Sequence, residues 1–513
     1  MTKCYLIGMG GTGAKCLESF VHLAAAGLIG HDVWIGMVDQ DESNGNVTRT
    51  KNLLRNYGGL HTSLRSGDND LGQSPFLRSK VDFPTETDGA QGASTAVWAP
   101  APGVPNLSEL FSEALMVPDL KNLFHTFFDG QDRQTKLDVG FRGRPYLGAT
   151  ALQSKSLSGA AFWNDLLGSL NLVRSGLKVR IFLVASIFGG TGASGMPILA
   201  RKLWERVKNM DNGDSFKVGG CMMLPYFSFP QVQGDGAFMN SSDFLGQTQG
   251  ALKYYHHLFR DESFAQKRLF ESLYFVGWNP LIPLDYEQIG NRGQENPSLL
   301  PELYAALSAA RFFTKDESGY FYTSCPGVKE TLSWNALPGM SVDHGDREIG
   351  LKHGLGSLCR FAFAFLNAYG PYMGRKEHEA YRGQPWRQKL IDEARVDLSV
   401  DANAETLRNL HGYCRDVLGW LAALCHLPLG EDNRTALVEA MAFAEKPAKV
   451  TRGQPPLRPA EQFDRKSFAN LVHDAPASDL AGVFWRVNQG QPPARANGLG
   501  RFVGALHEAC QIS

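Results

Sequence analysis

The first 39 residues constrain this chain most. Lys3–Ile7 is a short apolar run and Gly8-Met9-Gly10-Gly11-Thr12-Gly13 a glycine loop. Thr12–Leu28 then carries Ala14, Leu17, Phe20, Val21 and Ala24 at helical spacing, with Gly27 marking the end. Val33–Val38 is a second apolar run, closed by Asp39. A strand, a loop, a helix and a strand in that order imply a parallel sheet joined by a right-handed crossover. The expected fold is therefore α/β, a Rossmann-like parallel sheet.

The glycine loop fits G-x-G-x-x-G in the context that gives the pattern meaning. Glycines let the backbone approach a phosphate, and the helix start offers free N–H groups with a partial positive charge. Asp39 stands where a dinucleotide-binding fold keeps its ribose acid. A tight turn without ligand is the plain alternative. A Walker A reading fails on register, because Ala14 separates Gly13 from Lys15 and Cys16 follows.

A second loop of the same kind follows another buried apolar run, Val179–Ala185. It reads Phe188-Gly189-Gly190-Thr191-Gly192-Ala193-Ser194-Gly195 and precedes a helical pattern over Met196–Met210. Two such loops on one sheet can grip a polyphosphate from two sides, with Thr191 and Ser194 adding hydroxyls. Further strands are expected at Lys217–Leu224 and Ser272–Trp278, with a turn at Pro225–Pro230. Helices are expected at Phe244–Arg260 and Pro297–Phe313. Residues 45–140 read as a long insertion of loops with short structured pieces. After about Ser318 the alternation stops, and Leu355–Tyr369, Pro385–Val396 and Ala404–Leu427 look helical. The expected division is a nucleotide-binding domain over 1–318 and a mainly α-helical C-terminal domain over 319–513.

The pair of loops resembles the tubulin/FtsZ superfamily of GTPases, closest to its divergent bacterial members. There a GxGGxG-type loop follows the first strand and a GGGTGSG-type loop binds phosphates; Phe188 and Ala193-Ser194 depart from that second pattern. Met222–Phe229 (MMLPYFSF) is similar to the strand-plus-loop after the family's signature helix. The resemblance covers about residues 1–317 and implies GTP or GDP bound through Gly8, Gly10, Gly11, Thr12, Gly13, Gly189, Gly190, Thr191, Gly192, Ala193 and Ser194. It puts Asn296 near the guanine base, and Arg142 and Arg144 near the γ-phosphate, where a surface pair is the alternative. Asp39 and Asp41 face the ribose or a Mg²⁺ ion, or cap a solvated loop. Hydrolysis in the family uses an acid from the loop after the central helix, acting on the next subunit's nucleotide. Asp316 and Glu317 occupy that place here without the family's N-x-D-x-x-D/E pattern, and a helix-ending charged turn is the alternative. The resemblance also implies nucleotide-controlled self-association into a filament or oligomer.

Bulk properties add exclusions. The chain has 513 residues, 43% hydrophobic and 20% charged, enough apolar mass for a core. With 51 Lys plus Arg against 52 Asp plus Glu, net charge makes no case for nucleic acid or an acidic membrane. The eight cysteines form no C-x-x-C pair and no zinc-like cluster, so isolated reduced thiols in a cytoplasmic protein are expected, with no metal site of that kind. No signal-peptide pattern opens the chain, and no stretch reaches the ~20 apolar residues that span a bilayer. Two other readings stay open. One is an NAD- or FAD-dependent oxidoreductase using Gly8–Gly13 and Asp39, which leaves the second loop unexplained. The other is a non-catalytic nucleotide-sensing scaffold with protein partners from the same operon, in a bacterial multi-gene system such as defence.

Overall fold

The computed structural model describes residues 2–66, 71–84, 96–137, 140–141, 144–210, 215–229, 243–260, 269–284, 295–323, 331–345, 347–373, 384–426, 434–443, 465–489 and 498–512. Its centre is an eight-stranded sheet in which every pairing is parallel. The strands are β1 (Thr2–Met9), β2 (Val33–Val38), β3 (Val81–Asp82), β4 (Val97–Trp98), β5 (Lys178–Ser186), β6 (Phe216–Met223), β7 (Ser272–Val276) and β8 (Gly319–Thr323). From one edge the order is β3-β2-β1-β5-β6-β7-β8, and β4 also pairs with β2. Strand order therefore runs backwards to β1 and forwards from β5, and reverses between those two neighbours.

β1 and β5 are almost wholly buried because both faces of the sheet are covered. Alternation along β1 feeds two cores. Cys4 and Leu6 pack toward α1 (Gly10–Ala25), α2 (Gly45–Leu64) and α7 (Leu300–Thr314). Tyr5, Ile7 and Met9 pack toward α3 (Pro145–Gln153), α4 (Asn164–Asn171), α5 (Gly190–Val207) and α6 (Phe244–Arg260). The C-terminal helices α8 (Leu351–Ala364), α9 (Asp401–His426) and α10 (Gly498–Ala509) lie on the first face, where α8 packs on α1 and α9 on α2. The fold is α/β with a helical C-terminal region, as expected.

Several expected boundaries move. Residues 45–64, expected within a loop-rich insertion, form the 20-residue helix α2. The Asn44 side chain caps it, accepting from Asn46 N–H (3.0 Å) and Val47 N–H (3.4 Å). Its buried Val47, Thr50, Leu53, Leu54, Tyr57, Leu60 and Leu64 follow helical spacing, so packing overrides the weak propensity of Asn56, Gly58 and Gly59. The parallel sheet also continues past Ser318 as β8, whose GYFYT run stacks Phe321 on Tyr274 and Tyr322 on Phe275. The LPYFSF segment, expected as a turn, contributes Phe227–Ser228 to a two-residue pairing with Ile282–Pro283. α7 starts at Leu300 rather than Pro297; Pro301 sits in its first turn and the Glu302 carboxylate accepts the Leu299 N–H. The stretches near 447–465 and 487–498, rich in Pro, Gly, Arg and Lys and read from the sequence as loops, fall largely outside the described residues. Among the described residues no helix is long and apolar enough to cross a membrane.

Candidate functional site

Both glycine loops lie at the carboxyl ends of β1 and β5, the neighbours between which strand order reverses. In open α/β sheets that crevice is where ligands bind. Each loop runs straight into a long helix. α1 begins at Gly10 and α5 at Gly190, so the glycines form the helices' first turns. Met9 and Gly189 stand at the two N-caps, and neither supplies a side-chain bond to the helix start. The first N–H groups of both helices are thus left without intrahelical acceptors. Two adjacent, uncapped helix starts concentrate partial positive charge and free donors at one place.

The loops touch. A methyl on Gly10 would lie 3.6 Å from Thr191 Cβ and 3.9 Å from the Gly192 nitrogen. Gly10 has φ +70°, the left-handed region that glycine tolerates. Gly8 and Gly13 meet so closely that a methyl on Gly13 would sit 2.7 Å from the Gly8 carbonyl carbon. Gly192 is equally confined, 2.5 Å from Ser186 O on the same basis.

Asp39 joins the two loops. It is 4% exposed at the end of β2, and its Oδ1 accepts the Thr191 hydroxyl at 3.3 Å and the Asp41 N–H at 3.2 Å. Burial pushes its carboxyl up to about 7; the bonds from Asp41 and Thr191 oppose that rise. Asp41 accepts Ser43 N–H (3.1 Å) and Ser43 Oγ (2.7 Å), so it also shapes its own loop. Ser194, expected as a hydroxyl donor, donates to its own helix at Gly190 O (2.8 Å) and Thr191 O (3.0 Å). Ala193 is buried in the same turn.

Asn296 is buried before α7. Its N–H donates to Asn46 Oδ1 (2.8 Å) and its carbonyl accepts Arg49 Nη1 (2.9 Å), tying the segment to α2. Asn44 and Asn46 border the first loop: a methyl on Gly11 would lie 3.1 Å from Asn46 Nδ2 and 3.4 Å from Asn44 Oδ1. The sequence reading passed over both, and the asparagine N-cap before an apolar period was the available signal. Arg144 donates to Asp132 Oδ1 (2.8 Å) and Thr135 Oγ1 (3.0 Å); Arg142 lies outside the described residues.

Asp316 and Glu317 are not beside the loops. They precede β8 at the amino ends of the strands, where Asp316 pairs with Lys217 (2.5 Å) and Arg180 (3.9 Å). Glu317 is held bidentately by Arg311 at 2.9 and 3.0 Å. The Lys217 contact holds the Asp316 carboxyl below its usual range. At about 3.3 Å per residue along β6, that pole is roughly 20 Å from the glycine loops. Among the described residues no group of three His, Cys, Asp or Glu side chains is placed to hold a metal.

The polar stripe of α1 is the feature the sequence hid. Lys15, Glu18, Ser19 and His22 are all buried, each with a partner from another element. Lys15 pairs with Glu302; Glu18 takes Arg49 (3.0 and 2.9 Å) and Ser298 (2.6 Å). Ser19 accepts Trp420 Nε1 (3.1 Å), and His22 bonds Tyr413 (3.3 Å) beside Trp420. Burial lowers His22 to about 4, so it is neutral at pH 7.

No protein-family model matches the chain, and no curated protein matches it. Among solved structures, the helical model of the TubZ-Bt two-stranded filament aligns at 11% identity, over 54% of this chain and 46% of that one, with a TM-score of 0.21. A superposition that poor carries no argument about function. The established description of this chain is a parallel α/β sheet with two glycine-started helices meeting where strand order reverses.

Proposed function

We propose that the chain binds a guanine nucleotide, GTP or GDP, with its phosphates between Gly10–Gly13 and Gly189–Ser194, and that the nucleotide controls self-association. The observation that carries this reading is the meeting of two uncapped helix starts at the strand-order reversal. One such start would serve any dinucleotide binder, including an oxidoreductase; a second aimed at the same crevice suits a di- or triphosphate. The likeness of the loops and LPYFSF to the tubulin/FtsZ superfamily supports guanine. Thr191 and the main-chain N–H groups would hold the phosphates. A Mg²⁺ ion bound through one carboxylate and phosphate oxygens would use Asp39 or Asp41.

Hydrolysis is a separate proposal. Asp316 and Glu317 lie at the pole opposite the loops. Only a head-to-tail contact between copies would bring them to a neighbour's nucleotide. Their ion pairs favour the second reading, a non-catalytic nucleotide-sensing scaffold, unless assembly breaks those pairs.

Gly189→Asp tests the site. Gly189 has extended backbone (φ −93°, ψ 171°) at the N-cap, where Asp stabilises helices, and a methyl there meets only the Ser186 hydroxyl. The variant should fold normally while its carboxylate repels phosphate. Nucleotide released by denaturing the purified wild type should be GDP or GTP, and the variant should carry none. Wild-type protein that binds neither GTP nor GDP overturns the site; binding without GTP-dependent pelleting overturns assembly.

A further inference from the structure

The small core beside the second glycine loop has an apolar outer side that nothing in the chain covers. Leu107, Phe124, Leu137, Phe141, Leu147 and Ala151 form a cluster separate from the two cores of the sheet. Leu147 and Ala151 belong to α3, which packs on α5, and a methyl on Gly148 of α3 would press on Ser194 Oγ. Residues 107–137 wrap that core in short helices, of which Pro118–Phe127 is the longest. Phe124 is the buried residue of this helix. Leu120, Leu123 and Phe127 follow at i, i+3 and i+7 and so share one stripe, with Val117 and Leu115 just before it. These five side chains are exposed by 50% at Leu120 to 85% at Leu115. A single exposed leucine is ordinary on a surface. Five large apolar side chains within Leu115–Phe127 make a patch of roughly 600 Å², and a patch of that size marks a contact.

The chemistry of the patch selects its occupant. Amphipathic helices that lie on membranes carry Lys and Arg along the polar face. This one has Asp119, Lys121 and His125, and His125 is engaged at 2.7 Å by Glu113, which also takes Arg133 at 3.2 Å. No excess of positive charge is offered to lipid headgroups or nucleic acid. A near-neutral apolar stripe instead fits another like it. In an antiparallel pair about a twofold axis at Leu123, Leu120 lies opposite the partner's Phe127. No charged side chain then meets its own copy, as Asp119 and Lys121 would in a parallel pair. Two such patches together bury about 1,200 Å², the lower end of specific interfaces.

We propose that the helix Pro118–Phe127 is the contact of a twofold homodimer, covered by the same helix of a second copy. The contact closes at two copies and requires no ligand. It is therefore distinct from the nucleotide-controlled assembly, and the dimer is the unit on which that assembly acts.

The test is sedimentation equilibrium of the nucleotide-free full chain from about 1 to 100 µM, where a monomer–dimer equilibrium with a Kd of micromolar order is expected. Leu123→Glu sets two carboxylates face to face at the axis and should weaken the dimer at least about 100-fold. Phe127→Glu should weaken it about tenfold or more. Both side chains face solvent in the single chain, so thermal unfolding of the two monomers should match the wild type. Leu172→Glu, at an equally exposed leucine outside the patch, should dimerise as the wild type does. Leu123→Cys should give a disulfide-linked dimer under a mild oxidant that leaves the wild type unlinked. A wild type that stays monomeric throughout, or a dimer insensitive to Leu123→Glu, overturns the proposal. A monomer that floats with phosphatidylglycerol vesicles and loses this with Leu123→Glu also overturns it, and assigns the stripe to lipid. Wild-type protein that binds neither GTP nor GDP overturns the nucleotide reading alone, because the dimer is read without nucleotide.

Discussion

The two glycine loops share a place and a shape but are held by different means. The first is braced from beneath by buried charge: Lys15 pairs with Glu302 under it, and the Tyr226 hydroxyl donates to the same Glu302 oxygen. The second is braced mostly by itself. Ser194 bonds back to Gly190 and Thr191, and the Thr191 hydroxyl crosses to Asp39. A loop held by its own helix can be built anywhere; a loop held through α7 and the segment after β6 senses what those elements do. This difference makes the first loop the candidate for communication and the second the candidate for a fixed phosphate cradle.

The largest effect should come from breaking the brace of the first loop. Glu302→Leu leaves the Lys15 ammonium buried without its partner, at a cost of about 3–5 kcal/mol. Lys15→Met combined with Glu302→Leu removes both charges and should recover most of that loss. Thr191→Val, the corresponding cut in the second loop, should cost about 1 kcal/mol. Denaturant unfolding of the four proteins reads the contrast. A Glu302→Leu cost no larger than that of Thr191→Val would erase the proposed difference between the loops.

On a second count the loops should behave alike. Gly13→Ala and Gly192→Ala each force a methyl against backbone, at 2.7 Å from the Gly8 carbonyl carbon and 2.5 Å from Ser186 O. Each should cost about 1–3 kcal/mol of stability. A thermal scan showing one of the two tolerated would mean that its loop relaxes, and would sharpen which cradle is rigid.

How far the sequence revealed this depends on what carried the signal. The β1–α1–β2 unit and the two glycine loops were legible because apolar period, glycine and Asp39 sit within 39 and 17 residues of chain (Met1–Asp39 and Val179–Gly195). α2 was obscured because Asn56, Gly58 and Gly59 are poor helix formers, tolerated where Phe83 and Asn409 pack beside the two glycines. The stripe Lys15, Glu18, Ser19 and His22 reads as a solvated helix face. It is buried because Glu302, Arg49, Trp420 and Tyr413 cover it, and three of those lie more than 250 residues away. Periodicity reports that a face is polar; it cannot report that a distant element supplies its partners. For the same reason Tyr226 was seen as part of a motif and not as a hydrogen-bonding group, and the position of Asp316 at the opposite pole followed only from sheet topology.

The smallest and most specific expectation concerns Asp39, where the two loops meet. Its carboxyl is raised to about 7, so the folded chain holds this proton more tightly than the unfolded chain does. The sign follows: its contribution to stability is greatest below the ordinary carboxylate range, near 4, and is lost as pH rises through about 7. Polyphosphate should follow the same direction, because an ionised Asp39 between the loops repels it. Without divalent cations, GTP affinity should fall about three- to tenfold between pH 6 and pH 8 through this group. Asp39→Asn should bind GTP at pH 8 about as the wild type does at pH 6, after the nucleotide's own titration is subtracted by comparing the two proteins. Isothermal titration at the two pH values decides it. Parallel slopes for wild type and Asp39→Asn would place the ligand away from Asp39. The Thr191–Asp39 bond of the second loop would then lie outside the site, and the first loop would be left to bind phosphate alone.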